Sequence, residues 1–466
     1  MRGNAGMKRT GGYTQRLAEF IVTTPRDGFS DRAIELGKQH ILDTFAVGIA
    51  GMRTDAGEKI RTYGEQSGGR GKASIIGSEL KLSPETAALC NGTLCHALDY
   101  DDDCVTTITH PGTVVIPAVF ALAEARGGGG REVIEAFIIG VETIACLNRI
   151  FGSWHYLKGW HPTATLGIVG AAAACARLAG LDLPQTVNAH AIAGSLASGS
   201  IANFGTMTKP LHAGQAARNG VMAALLAQRG FSGNTEMLED PRYGYFQLYR
   251  GAELASAVDF DNSRSGQLHL VDPGINFKMY PCCAGLHATL DCTRYLVQTH
   301  EIQPAEVEKA EAVVEQMLIN TLDNQMVRNS NQARFSLQYG MAVMLCRQKA
   351  GIAEFLPDVV VDSSIQNIIK RCFVVPKDAP PCGTYAVDAC VRITMKDGSV
   401  HVHEVEGYAG HSRLNPFTRE NLANKVEECC EYAGISEKGG SLVAMALDRF
   451  DTYADMSEFG DFLRGI

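Results

Sequence analysis

The sequence predicts a mainly α-helical protein: a large all-helical domain assembled from both ends of the chain, with a smaller α+β domain inserted between them. Three observations predict it. Between residues 30 and 229 apolar residues recur at helical spacing, in segments bounded by capping residues and glycines. Beyond Asp272-Pro273-Gly274 the pattern changes to short strand-like runs mixed with helices. From Thr418 onward it returns to helix. The boundaries that follow are 1–273 and 414–466 for the helical domain and 274–413 for the insert. A chain of 466 residues is too long for one ordinary core.

Each element has its local reason. Ser30-Asp31 caps a helix through Ile34, Ile41, Leu42, Phe45 and Ile49, which Gly51 stops. Pro84-Glu85 opens another through Leu89 and Leu94. Val114–Arg126 ends at a run of four glycines, and Arg131–Ile150, Thr163–Leu178, Pro184–Ala197 and Ala213–Arg229 follow. With 49 glycines and only 7% aromatic residues, these helices are expected to pack closely through small side chains. In the insert, Ala312–Leu318, Cys372–Val375 and Ala389–Met395 read as strands. Lys396-Asp397-Gly398 folds Ala389–Met395 onto Val400–Val405 as a hairpin. Helices are expected over Ala288–Gln298 and Phe335–Arg347. Ser67–Gly71 is glycine-rich but lacks phosphate-loop spacing, and no GxGxxG joins a strand to a helix, so it reads as a plain loop.

Composition removes several function classes. Lys plus Arg is 42 and Asp plus Glu 51, a net charge of −9, so no basic excess exists to neutralise nucleic-acid phosphates. The most apolar window, Ala164 to Ala176, stops at Arg177 and reads as a buried helix, so no membrane partner is expected. Fourteen cysteines contain no CxxC pair. That spacing argues against a zinc or iron–sulfur framework and for buried reduced thiols in a cytoplasmic protein. The opening Met1–Arg16 carries no acid and several glycines, and reads as a tail rather than a targeting helix, with Met7 a second candidate start.

Four segments concentrate groups able to do chemistry. His96 to Asp103 contains Asp99, Asp101, Asp102 and Asp103 and leads to Thr109-His110-Pro111-Gly112. Such a cluster is a solvated loop, a magnesium site, or a loop in which Asp99 charges or orients a histidine. His155-Tyr156-Leu157-Lys158-Gly159-Trp160-His161-Pro162 puts His161 at a helix entry, where neutral imidazole is favoured. His-Pro occurs twice, at His110 and His161, each time before a helix. In Thr208-Lys209-Pro210 the following proline is expected to hold Lys209 extended, off the helix and toward a cleft. Lys278-Met279-Tyr280-Pro281-Cys282-Cys283, followed by His287, stands where the architecture changes, a natural place for a site.

In this order, the four segments together with Ala217-Arg218-Asn219-Gly220 and Phe335–Tyr339 resemble the MmgE/PrpD family, from Ile41-Leu42-Asp43-Thr44 to Gly410-His411. The resemblance implies a helical domain with an inserted α+β lid, a homodimer, and no metal or organic cofactor. It implies a small polycarboxylate substrate. Members include 2-methylcitrate dehydratases, cis-aconitate decarboxylases and iminodisuccinate epimerases. The family's cleft residues map onto Asp99, His110, His161, Lys209 and Lys278, and Tyr156 falls where epimerase-like relatives carry a tyrosine. The candidate set is therefore His161, Tyr156, Asp99 and His110 for the chemistry, with Lys209, Lys278 and His287 holding substrate. Cys283 stands where decarboxylase relatives carry a histidine, and the stretch from Asp99 to His110 is one residue longer than theirs. Dehydration is accordingly the expected reaction, with epimerisation and decarboxylation as alternatives. Two readings of other classes stand beside it: a magnesium-dependent helical enzyme using Asp99 to Asp103, and a helical interaction module without activity.

Overall fold

Capping chemistry places the helices. In the computed structural model, which describes residues 11–250, 260, 267–378 and 388–466, the Ser30 hydroxyl accepts from the Ala33 N–H and opens Asp31–Gly51. Ser83 does the same for Pro84–His96. Gly127, at φ 77°, ends Pro111–Arg126 in the left-handed conformation. Gly130–Phe151, Pro162–Ala179, Leu183–Leu196 and Thr208–Gln228 complete the central helices. The first ten residues of the expected tail and Cys382 lie outside the described residues. From Tyr13 that stretch is instead helical, Tyr13–Thr23, because Tyr13, Leu17, Phe20 and Ile21 share a buried face.

Small residues set the helix spacing where it matters. A Cβ on Gly92 would lie 2.9 Å from the Gly214 Cα, so Pro84–His96 and Thr208–Gln228 touch through their backbones. That contact carries the end of the first helix, at His96, toward the start of the second, at Lys209. A Cβ on Gly170 would likewise lie 2.9 Å from the Gly140 carbonyl oxygen. Pro162–Ala179 is long and apolar enough to cross a membrane by length and composition, yet 94% of it is buried within the protein.

Strands β1 (Arg70–Ser74) and β2 (Lys81–Leu82) form a small antiparallel pair. Strands β3 (Val307–Val314), β4 (Cys372–Pro376), β5 (Asp388–Met395) and β6 (Val400–Glu406) form a sheet of order β4-β3-β5-β6. β4 runs parallel to β3 and the other pairs are antiparallel, with Ala312 opposite Val391 and Val391 opposite His403. The helix His287–His300 packs on β5 and β6. Buried apolar side chains fall into two clusters. One runs through the helices, and the other gathers the sheet, His287–His300 and Leu337–Arg347. Tyr156 belongs to the second cluster although it comes from the first part of the chain.

Three local expectations are corrected. The strand expected at Ala312–Leu318 is β3, and from Gln316 a helix, Gln316–Leu322, takes over with Leu318 and Leu322 on one buried face. Ser67–Gly71 is not wholly loop, because Arg70 and Gly71 open β1 against a two-residue partner too short to be seen in the sequence. The helix expected from Ala213 starts at Thr208 and contains Lys209. Pro210 is tolerated because a first-turn residue has no use for its N–H.

Candidate active site

Three stretches of chain converge on one carboxylate. After His96 the backbone turns at Asp99, whose φ of 53° is unusual for a residue with a side chain. Lys278 holds it there. Its Nζ donates to the Asp99 carbonyl oxygen at 2.9 Å and to Oδ1 at 2.5 Å. Lys209 Nζ takes Oδ2 at 2.5 Å. All three side chains are buried, Lys278 completely. Burial drives the Asp99 carboxyl upward, but the two ammoniums outweigh it and hold the group well below the usual carboxylate range. Lys278 is likewise raised, its desolvation overcome by Asp99, Asp101 and Asp103. Lys209 Nζ also lies 5.3 Å from the Phe204 ring centre and 5.0 Å from that of Phe335. Two buried ammoniums thus share one carboxylate, with Asp101 and Asp103 close enough to act on Lys278 as well.

The other acids of the loop point apart. Asp101 receives the His96 Nδ1 at 2.8 Å. Asp102 accepts the Gly112 N–H at 2.9 Å, and Asp103 accepts from the Tyr408 hydroxyl at 3.1 Å. This geometry speaks against the magnesium reading, which needs these oxygens turned toward one ion. His96, Asp99, Asp101 and His110 do bring one ligating atom each within 4.8 Å of one another. Asp99 is already committed to two ammoniums, however, and those charges would oppose a divalent cation beside them. The set does not fit a magnesium ion.

A narrow cleft lies beside this cluster. His110, Tyr156, His161, Lys209 and Asp103 line it, with Phe204, Phe335, Ile108 and Cys283 supplying further walls. His110 and His161 each stand at the N-cap of a helix whose first residue is proline. The His110 Nδ1 lies 2.7 Å from the Asp102 carbonyl oxygen, which can only accept, so Nδ1 carries the proton and Nε2 keeps its lone pair. The His161 Nδ1 meets the His212 Nδ1 at 3.2 Å. Burial, then Lys278, hold His110 well below its ordinary value; burial, then Lys209, do the same for His161. Both rings are therefore neutral at neutral pH, fit to accept a proton rather than to give one.

The sequence-derived candidates separate into three groups. His110, Tyr156, His161 and Lys209 share the cleft. Asp99 and Lys278 lie behind it and set its charge. His287 does not line it: its ring packs between Tyr280, 5.2 Å away, and Tyr408, 5.1 Å away, and burial holds its pKa near 3. Three lining or supporting residues stand outside that candidate set. Asp103 is one acid of four in its loop, His212 follows Lys209-Pro210 with no local partner, and Phe204 carries no sequence signal. Asp103 is the one to note. One oxygen meets Tyr408 and the other has no partner among the described residues, while burial raises its pKa to about 6.

A mainly helical protein with buried lysines around one carboxylate and neutral histidines in an adjoining cleft defines a class suited to proton transfer on an anionic substrate. Comparison with known families agrees. The MmgE/PrpD N-terminal domain matches residues 15–256 and the MmgE/PrpD C-terminal domain residues 280–446, so the chain belongs to the MmgE/PrpD family. Among its relatives is the mouse cis-aconitate decarboxylase, 28% identical over 97% of this chain and 93% of that protein. The human cis-aconitate decarboxylase is 28% identical over 88% of this chain and 86% of its own length. That of Aspergillus terreus is 26% identical over 89% and 88%.

Proposed function

We propose that this chain is a lyase that moves a proton at the carbon next to a carboxylate of a small polycarboxylate, using neither metal nor organic cofactor. The observation that carries this reading is the pairing, in one cleft, of His110 and His161 with the buried ammonium of Lys209. Removing a proton beside a carboxylate builds negative charge, which cations already in place stabilise. Lys209 meets the substrate carboxylate, with Asp99 and Lys278 fixing its position. Lys278 comes from the sheet-bearing part of the chain, so the reading includes closure of that part over the cleft. His161 takes the proton and leaves a carbanion-like carbon.

What leaves next separates the reactions. Asp103 lines the cleft with an oxygen to spare, and in its carboxylic form it hands a proton to a departing hydroxyl, giving water and a carbon–carbon double bond. That favours dehydration of a hydroxy-polycarboxylate of the 2-methylcitrate kind. The second reading is decarboxylation of a cis-aconitate-like acid, in which loss of CO2 instead of a proton leaves the electron pair on carbon and a proton is then delivered there; the names of the relatives favour it. Tyr156 in the same cleft leaves room for epimerisation, in which it returns the proton to the other face. The reading also places the protein in the cytoplasm as a two-fold homodimer built by the helical part. A sedimentation run at micromolar concentration showing a monomer would remove the dimer from it. The reaction is tested by incubating the protein with citrate, methylcitrate, cis-aconitate and iminodisuccinate and following each by NMR in deuterated water. A new alkene with all carboxyl carbons kept means dehydration, and loss of one carboxyl carbon means decarboxylation. No turnover and no deuterium uptake with any of the four would overturn the proposal.

A further inference from the structure

A second and larger cleft, about 960 Å³ counting its open mouth, backs onto the first. Neighbouring residues face the two spaces: Lys209 and Phe335 line the catalytic cleft, Pro210 and Arg334 the other. Arg334 is 6% exposed, and among the described residues no carboxylate lies within ion-pair distance of it. Among the described residues the guanidinium makes one hydrogen bond, from Nη1 to the Asn331 side-chain oxygen at 3.3 Å, and its buried Nε has no partner. The Ser330 hydroxyl, four residues earlier and lining the same cleft, is likewise buried without a partner. A buried guanidinium without a counter-ion is costly, and a protein does not ordinarily leave one so.

The rest of the lining answers the same need. Arg53 reaches the cleft from the helical side, and Tyr432 is close enough to both arginines for them to influence its hydroxyl. Asp55 is the one acid of the lining, and it pairs with Lys59 at 3.8 Å. The opposite wall is apolar, built by Met207, Pro210, Phe355, Leu356 and Pro357. Asp99 does influence Arg334 electrostatically, but its carboxylate is already divided between Lys209 and Lys278.

We propose that this cleft is a second binding site, for an oxyanion carried on a small organic molecule, with Arg334 and Arg53 clasping the anion. Guanidinium groups present paired donors to carboxylate or phosphate oxygens. Ser330 and Tyr432 add hydroxyls, and the apolar wall accepts the body of the ligand. The site is separate from the proposed chemistry, and its test needs no turnover. Calorimetric titration with inorganic phosphate and, separately, with succinate distinguishes the two sources of an oxyanion. The wild-type protein binds at least one of them. Arg334→Gln weakens that binding tenfold or more, Arg53→Gln weakens it several-fold, and His161→Ala leaves it unchanged. Arg53 is exposed, so its variant carries the test if Arg334→Gln does not fold. Binding of neither anion at 10 mM (about that of a weak effector) would overturn the proposal. So would binding that survives both arginine variants, or that is lost with His161→Ala, which would place the anion in the catalytic cleft.

Discussion

The two clefts share a wall but solve opposite problems of charge. In the smaller one each buried lysine already has an internal partner, because Asp99 serves both Lys209 and Lys278. In the larger one the buried Arg334 has no carboxylate partner among the described residues, only the Asn331 side-chain oxygen. The first arrangement is internally satisfied: its cations are positioned by a carboxylate of the protein itself, which suits the stabilising of a transient charge. The second is incomplete until an anion arrives, which is what reversible binding requires. The difference between a cation that is satisfied and one that is waiting separates a centre for chemistry from a place for a ligand.

That comparison breaks most visibly at Asp99. Asp99→Asn removes the shared counter-ion from two buried ammoniums, and breaking a buried pair from one side costs about 3–5 kcal/mol. The denaturation midpoint should fall accordingly and turnover should vanish. A variant within about 1 kcal/mol of wild type by urea titration would mean that the lysines do not depend on it.

The next effect is at Asp103. Asp103→Asn should slow loss of a hydroxyl by about 10²-fold while deuterium exchange at the substrate carbon persists, since general-acid assistance typically contributes this much. The pH profile sharpens the same point. Asp103 donates only when protonated, and its pKa is raised to about 6. The dehydration rate should therefore fall as pH rises through about 6, and this limb should be missing from Asp103→Asn. The acid limb, from protonation of His161, should lie below the ordinary histidine value of about 6.5, because burial and Lys209 push that pKa down. An unchanged profile in Asp103→Asn would exclude it as the donor.

The smallest effect is expected at the other cleft. Arg53→Gln touches no buried partner, so its stability should stay within about 0.5 kcal/mol of wild type by the same urea titration. A loss of 2 kcal/mol or more (about four times that range) would make Arg53 a structural residue instead.

Much of this was legible in the residues. Ser30, Ser83 and Gly127 mark helix ends by local hydrogen bonding and backbone freedom, so those ends fall where the sequence puts them. The two His-Pro pairs mark two helix starts for the same reason. Lys209 lies in the helix instead of ahead of it because a local rule, the restriction before proline, yields to the helix that Gly214 docks against Gly92. The convergence of Lys209 and Lys278 on Asp99 has no local signal at all, since 110 and 179 residues of chain separate the partners. His287 shows the converse: a histidine near a marked segment that packing against Tyr280 and Tyr408 removes from the cleft. Arg334 could not be singled out, because what distinguishes it is a missing neighbour.

The most direct measurement is deuterium incorporation at the carbon beside a carboxylate, followed by NMR with the substrate that the four-acid screen identifies. Wild type should exchange that proton, Tyr156→Phe should retain exchange, and His161→Ala should lose it by 10²-fold or more (~10²–10⁴ for a positioned base) with affinity largely kept. Exchange at the normal rate in His161→Ala would contradict the assignment of the base and move it to Tyr156.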